Sequence, residues 1–224
     1  MRITLTDAGK RFNRDWIFRH LHYEFTEGHS YAITGNNGSG KSTLLQAIAG
    51  AIGISEGRAR YERAGQAVPE NVRGGALQEV PAGLQEIPPE EVFKYISLAA
   101  PYLDLVEEMT LTEFLQFHQA FKPFQPTLTI PEMISLITLE AAAHKQIRYY
   151  SSGMKQRVKL AQAIFSDTSV LLLDEPCTNL DADGIALYQR LVNEYCGGKL
   201  VIVSSNDRQE YEFCDKTLSI MDYK

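Results

Sequence analysis

Between an apolar stretch and a helix-forming one lies Gly35-Asn36-Asn37-Gly38-Ser39-Gly40-Lys41-Ser42, a run that fits the pattern GxxxxGK[ST]. What such a run can fold into is narrow. His29 to Thr34 reads as a short strand and Lys41 to about Ile52 as a helix, so the glycines must form the loop that joins them. Glycine lets successive backbone N–H groups curl around phosphate oxygens without Cβ clashes, and the positive end of the following helix attracts the same anion. Lys41 offers a point charge to β- and γ-phosphates and Ser42 a hydroxyl to Mg²⁺. Gly35, Asn36, Asn37, Gly38, Ser39, Gly40 and Thr43 complete the expected nucleotide cradle.

A phosphate loop alone binds nucleotide and leaves hydrolysis open. Leu171-Leu172-Leu173-Asp174-Glu175-Pro176 supplies a second half. Val170 to Leu173 is a continuous apolar run, as expected of a strand buried on both faces. It delivers Asp174 to a strand end, where a carboxylate holds a Mg²⁺-bound water in an α/β nucleotide site. Glu175 is then placed to polarise or deprotonate the attacking water.

The rest of the chain supports an α/β reading. Leu21, Tyr23 and Phe25 alternate with His22, Glu24 and Thr26, the period of a half-buried strand, so the first thirty residues form an antiparallel β region. Residues 53 to about 90 hold Pro69, Pro81, Pro88, Pro89, Gly57, Gly65, Gly74, Gly75 and Gly83, a density that predicts a loop or short hairpin. Phe93 to Ala99 reads as a strand. Thr110-Leu111-Thr112-Glu113 fits a capping box, opening a helix that packs Leu111, Phe114, Leu115 and Phe121 and stops before Pro123. A second helical stretch follows Pro131. Met154, Val158, Ala161 and Phe165 mark another helix, capped by Ser151 or Ser152. Ile185, Tyr188, Val192 and Tyr195 define a further one, ended by Gly197-Gly198. Leu200 to Val203 and Lys216 to Met221 read as strands. The expected architecture is a P-loop NTPase parallel-sheet core with an N-terminal antiparallel β region and an inserted helical subdomain. One domain spans 1–224, with core at 1–100 and 166–224 and the helical part at about 101–165.

Composition excludes several classes. With 22 basic and 28 acidic residues the net charge is −6, no footprint for nucleic acid. The longest apolar runs are four residues, against the ~20 that cross a bilayer, and Met1 to Thr6 lacks a signal-peptide core. A soluble, cytosolic chain is the expectation. Cys177, Cys196 and Cys214 are odd in number and far apart, which fits reduced thiols. None of His20, His22, His29, His118 and His144 falls in a metal-ligand spacing; His20 and His22 are expected to be exposed strand residues. Tyr149-Tyr150 is expected to pack, and Arg157 with Lys159 to form a solvated helix face.

Taken in order, these motifs resemble the ATP-binding subunits of ABC transporters. Tyr150-Ser151-Ser152-Gly153-Met154-Lys155-Gln156-Arg157 looks like the family signature usually written LSGGQ, and Thr178-Asn179-Leu180-Asp181 is similar to its D-loop. Phe12 falls where the family carries an aromatic that stacks on adenine, with Trp16 as rival. The resemblance implies that Ser151 and Gly153 of one subunit contact the γ-phosphate held by Lys41 of another, so two ATP molecules with Mg²⁺ are sandwiched in a head-to-tail homodimer. Asp181 contacts the opposite subunit or caps a helix. It further implies a separate membrane permease, an export-type system, and a peripheral location on the inner face of the cell membrane.

Two positions depart from the pattern. Asn206 follows Val201 to Ser205, where the family usually has a histidine that senses the γ-phosphate; an amide hydrogen-bonds but carries no proton as His does. Ala99-Ala100-Pro101 stands where the family places a Gln that touches Mg²⁺. These departures motivate a rival reading, an ATP-gated clamp or regulatory subunit with weak hydrolysis. A third, an ABC ATPase acting on DNA or ribosomes, lacks the coiled-coil insertion or second ATPase domain usual there.

Overall fold

The computed structural model describes residues 1–65, 69–71, 77–79 and 83–224. Its centre is a five-stranded parallel sheet in the order β11-β3-β10-β9-β8. The strands are β3 (Ser30–Thr34), β8 (Ile96–Ala99), β9 (Val170–Asp174), β10 (Leu200–Ser204) and β11 (Lys216–Ser219). Every residue of β9 and β10 is buried, as continuous apolar runs require when helices cover both faces.

Beside it lies an antiparallel sheet of β2-β1-β4-β7. β1 (Arg2–Phe12) and β2 (Asp15–Thr26) form the expected N-terminal hairpin. β4 (Glu56–Ala64) pairs with β1, and β7 (Leu84–Glu86) with β4. Of the loop or short hairpin expected over 53 to 90, the described residues show antiparallel pairing, beginning with a nine-residue strand. Tyr61, buried, explains why: its hydroxyl donates to the carbonyls of Ala47 and Ile48 at 3.2 and 3.1 Å, docking the strand on the first helix. A short pair, β5 (Pro69–Asn71) and β6 (Leu77–Glu79), follows. Gly74, Gly75 and Pro81, on which the expectation over 53 to 90 partly rested, lie outside the described residues.

The helices are α1 (Lys41–Ile48), α2 (Leu111–Phe121), α3 (Ile130–Leu136), α4 (Ser152–Ile164), α5 (Ala182–Tyr195) and α6 (Arg208–Tyr211). α1 stops four residues before the predicted Ile52, because Gly50 turns left-handed at φ 70°. α2 opens on the Thr110–Glu113 capping box and buries Leu111, Phe114 and Leu115. Phe121, expected in that core, is 74% exposed. Phe93 lies in a 3-10 turn (Pro89–Lys94) ahead of β8, also exposed; the prolines at 88 and 89 favour that turn over an extended start. Beyond Ser219 the chain forms a 3-10 turn, Ile220–Tyr223, where strand was expected to Met221.

Two buried clusters hold these layers. One joins Phe18, Phe25, Tyr31, Leu44 and Leu172 between the two sheets. The other joins Phe114, Met133, Val158, Leu173 and Tyr188 beneath the helices. Among the described residues no helix is long and apolar enough to cross a membrane.

Candidate active site

Parallel register places the site. Ser204 of β10 pairs with Ile33 of β3 on one side and Asp174 of β9 on the other. The carboxyl ends of these strands therefore lie level, and the chain leaves them as the glycine loop, as Ser205-Asn206 and as Glu175-Pro176. Ligands in open α/β sheets bind at such a crevice.

The glycine loop closes over Lys41. The Lys41 side chain is buried and its Nζ donates to the carbonyls of Gly35 at 2.8 Å and Asn36 at 3.3 Å. Asn36, Asn37 and Gly38 face solvent, while Ser39 is buried. Gly40 caps α1 in the left-handed region at φ 93° with no side-chain bond to the first turn, leaving that turn's N–H groups for a ligand. A Cβ at Gly40 would come within 2.2 Å of Ile17 Cγ2, so the hairpin fixes the glycine as firmly as the backbone does. Ser42 and Thr43 sit half-buried in the first turn of α1.

Asp174 is 1% exposed, and its Oδ1 takes no hydrogen bond from the protein. The hydroxyls of Ser204 and Ser39 are likewise buried and unpartnered. A buried, unpaired carboxylate oxygen is costly unless a cation or donor completes it. With the hydroxyl of Ser42 it forms a hard-oxygen set of the kind that suits Mg²⁺. The residues present fit the ion.

Glu175 is half-buried and left-handed, φ 43°, a conformation that costs a non-glycine residue roughly 1–3 kcal/mol. Asn206 bridges to the loop: its Oδ1 accepts from the Gly35 N–H at 3.3 Å, and its Nδ2 donates to Asn37 Oδ1 at 2.9 Å. Phe12 is 50% exposed, with Lys10 Nζ 4.9 Å from its ring centre. Trp16 is less open, because the guanidinium groups of Arg11 and Arg19 lie 5.4 and 4.4 Å from its ring; Arg19 is itself bonded to Glu56 at 2.6 Å.

The signature residues lie apart from the loop. Ser151 caps α4, accepting from Met154 N–H at 3.2 Å. Asp181 caps α5, accepting from Gly184 N–H at 2.8 Å. Ser151, Gly153, Asn179 and Asp181 line one cavity of about 460 Å³, and no phosphate-loop residue lines it. Tyr150 is buried with its hydroxyl on the Ala142 carbonyl, whereas Tyr149 is exposed rather than packed. Arg157 and Lys159 are not simply solvated: Arg157 donates to Thr138 Oγ1 at 2.6 Å and Lys159 to the Pro101 carbonyl at 2.7 Å. All three cysteines are free, and among the described residues no group of His, Cys, Asp and Glu forms a metal cluster.

Three neighbours of the site escaped the sequence. Tyr102 follows the Ala99-Ala100-Pro101 stretch; burial chiefly, with the Asp174 charge, raises its hydroxyl pKa, while a hydrogen bond with Gln46 opposes the shift. Lys224 donates to the carbonyls of Ile17 at 2.8 Å and Ser39 at 2.5 Å, bracing the loop from outside. Glu210 is buried behind Glu175. No motif flags any of them, because each acts through tertiary placement.

Residues 18–178 match the sequence profile of the ABC transporter family. The chain is 28% identical over 92% of its length to the cytochrome c biogenesis ATP-binding export protein CcmA of Agrobacterium fabrum, covering 89% of that protein. It is 27% identical over 96% of its length to the Nod factor export ATP-binding protein I of Bradyrhizobium diazoefficiens, covering 66% of it. Among solved structures it resembles an ATP-binding subunit of an ABC transporter (TM-score 0.77, 20% identity, 98% of this chain and 85% of that one). It also resembles the dimeric cassette MJ0796 in a post-hydrolysis state bound to ADP and Pi (TM-score 0.73, 21% identity, 97% and 93%). At these identities the structural likeness speaks for the fold.

Proposed function

The chain belongs to the ABC transporter family of ATP-binding proteins, and from that premise we propose that it binds and hydrolyses ATP to drive a separate membrane permease of the export type. The observation that carries this reading is the unpartnered Oδ1 of Asp174, level with the phosphate loop and next in sequence to Glu175. Lys41 and the free N–H groups of the Gly40–Thr43 turn bind the β- and γ-phosphates. Ser42 and Asp174 would hold Mg²⁺, which when bound neutralises charge on those phosphates. Glu175 accepts a proton from the attacking water, Asn206 orients the γ-phosphate side of the loop, and Phe12 stacks on the base.

Residues 1–224 work as one nucleotide-binding unit with 101–165 as its helical arm. The Ser151 and Asp181 cavity carries none of the phosphate-loop residues of its own chain, which supports a head-to-tail pair in which Ser151 and Gly153 complete the partner's site. The permease meets the arm and the stretch that leads into it, over residues 93–121. There a groove of about 270 Å³ lined by Phe93, Leu98, Leu103 and His118 lies on the surface, and the exposed rings of Phe117 and Phe121 sit 5.0 Å apart. That contact would hold the subunit peripherally at the inner face of the cell membrane. The printed export functions of two relatives favour the export class.

Phosphate release from Mg-ATP by the purified chain with its permease tests the reading. Turnover is expected in the wild type, and Glu175→Gln is expected to lose about 100-fold or more, the usual worth of a positioned base. Ordinary turnover in Glu175→Gln would remove Glu175 from the assignment. The rival, an ATP-gated clamp or regulatory subunit, is motivated by Asn206 and the absent Gln and opposed by the intact Asp174-Glu175 pair; background turnover with tight ATP binding would select it.

A further inference from the structure

The turn that presents Glu175 is held from several directions. The Glu175 N–H donates to the Ser204 carbonyl at 2.9 Å. Gln156 Nε2 donates to the Pro176 carbonyl at 2.7 Å. The Cys177 N–H donates to Glu210 Oε1 at 2.7 Å. Gln156 and Glu210 are both buried, at 3% and 5% exposure, and they come from different elements. Gln156 lies on α4, whose N-terminus is capped by Ser151, and Glu210 on α6, which follows the Asn206 loop.

Glu175 requires such support. A left-handed non-glycine residue persists only where its surroundings over-determine it. The two buried side chains do so by gripping the Pro176–Cys177 peptide group from both sides, Gln156 at its carbonyl and Glu210 at its N–H. We propose that Gln156 and Glu210 form a clamp on the Glu175–Cys177 turn and are positioning residues for the water-activating carboxylate. The clamp makes the placement of Glu175 depend on α4 on one side and on the Asn206 loop on the other.

The choice of a carboxyl at position 210 supports this role. Burial raises its pKa above the ordinary carboxylate value, with Asp207 and Glu175 adding to the rise, while the Ser205 hydroxyl and the Cys177 N–H pull it back. A group placed there for stability alone would be apolar, since a buried carboxyl is a poor way to gain free energy. α6 is separately anchored, because the Tyr188 hydroxyl donates to the Glu210 backbone carbonyl at 2.7 Å. The carboxyl oxygen is therefore free to serve the turn.

The kinetic arm of the test rests on the hydrolytic reading above; the exchange arm does not. Glu210→Ala, Glu210→Gln and Gln156→Ala would be compared with the wild type in the full chain. Steady-state ATP turnover and amide hydrogen exchange, followed by mass spectrometry, are the two readouts. Both alanine variants are expected to lose about tenfold or more in kcat with KM for ATP changed less than about twofold. Glu210→Gln recovers most of that loss, because its amide oxygen still accepts from Cys177. Exchange over 174–181 accelerates in both alanine variants and stays unchanged over 41–48. Should Glu210→Ala fail to fold, Glu210→Gln and Gln156→Ala carry the comparison. Unchanged exchange at 174–181 in the alanine variants overturns the clamp, as does a Glu210→Gln variant as impaired as Glu210→Ala. A wild type without turnover sinks the hydrolytic reading instead, and exchange alone then decides the clamp.

Discussion

Asn206 Nδ2 donates to Asn37 Oδ1 at 2.9 Å, so the loop after β10 is tied to the exposed tip of the phosphate loop. With the second bond, Gly35 N–H to Asn206 Oδ1, one amide holds both the first residue of the phosphate loop and its exposed tip. Each such bond contributes about 0.5–1.5 kcal/mol net. Asn206→Ala is therefore expected to raise KM for ATP about three- to tenfold through a looser loop. Asn206→His reintroduces a group that can carry a proton and is expected to raise kcat. Phosphate release over a range of ATP concentrations separates the two effects, and an Asn206→His variant slower than Asn206→Ala would refute the role assigned to the amide.

The two aromatic candidates for base stacking differ in what already covers them. Phe12 shares its ring with one lysine, while Trp16 is flanked by two guanidinium groups, one of them fixed by Glu56. A stacked base is worth about 1–3 kcal/mol, so Phe12→Ala is expected to weaken ATP binding about 5- to 100-fold. Trp16→Phe keeps an aromatic for the arginines and is expected to leave affinity within about twofold. Equilibrium titration with a fluorescent ATP analogue measures both. A larger loss in Trp16→Phe than in Phe12→Ala would reverse the assignment.

His118 supplies a pH test of the helical arm. It lies against Phe124, centroid to centroid 5.2 Å, with Nε2 3.2 Å from Ser166 Oγ. Burial first, and the Lys122 charge second, lower its pKa from 6.5 to about 4. The unfolded chain takes up this proton below about 6.5 and the folded chain only near 4, so the fold is favoured above that window and loses stability as pH falls through it. Urea midpoints at pH 7 and pH 5 are expected to differ less in His118→Gln than in the wild type. An identical drop in both would mean that other groups carry the acid sensitivity.

The sequence was legible where chemistry and local spacing coincide. The phosphate loop, the Val170–Leu173 strand, the Thr110 capping box and the cap expected at Ser151 or Ser152 are local patterns, and each forms the element expected of it, the cap falling on Ser151. Where neighbours far along the chain decide, it was not legible. The strand at Glu56–Ala64 exists because Tyr61 docks on α1 and β1 offers an unpaired edge, which no window of glycines and prolines reveals. Phe121 shares the helical face expected to be apolar, yet the helix ends there and its ring turns outward against Phe117. Gln156 stood inside the signature run and Glu210 four residues past Asn206, but a buried hydrogen bond to a distant peptide leaves no periodic trace.

The separation of Lys41 from Ser151 gives the most demanding prediction. If each complete site takes its phosphate loop from one subunit and its signature from the other, neither Lys41→Ala nor Ser151→Ala alone retains an intact site. A mixed dimer places both defects in one site and leaves the second intact. Random pairing of equal amounts makes about half of the dimers mixed, each with one of two sites working, so roughly a quarter of wild-type turnover should return in proportion to mixing. Positive cooperation between the two sites lowers that fraction, and negative cooperation raises it. Phosphate release by each variant alone and by the mixture checks this, with crosslinking to verify exchange of subunits. A mixture no more active than the better single variant, despite verified exchange, would mean that Lys41 and Ser151 do not serve a shared site.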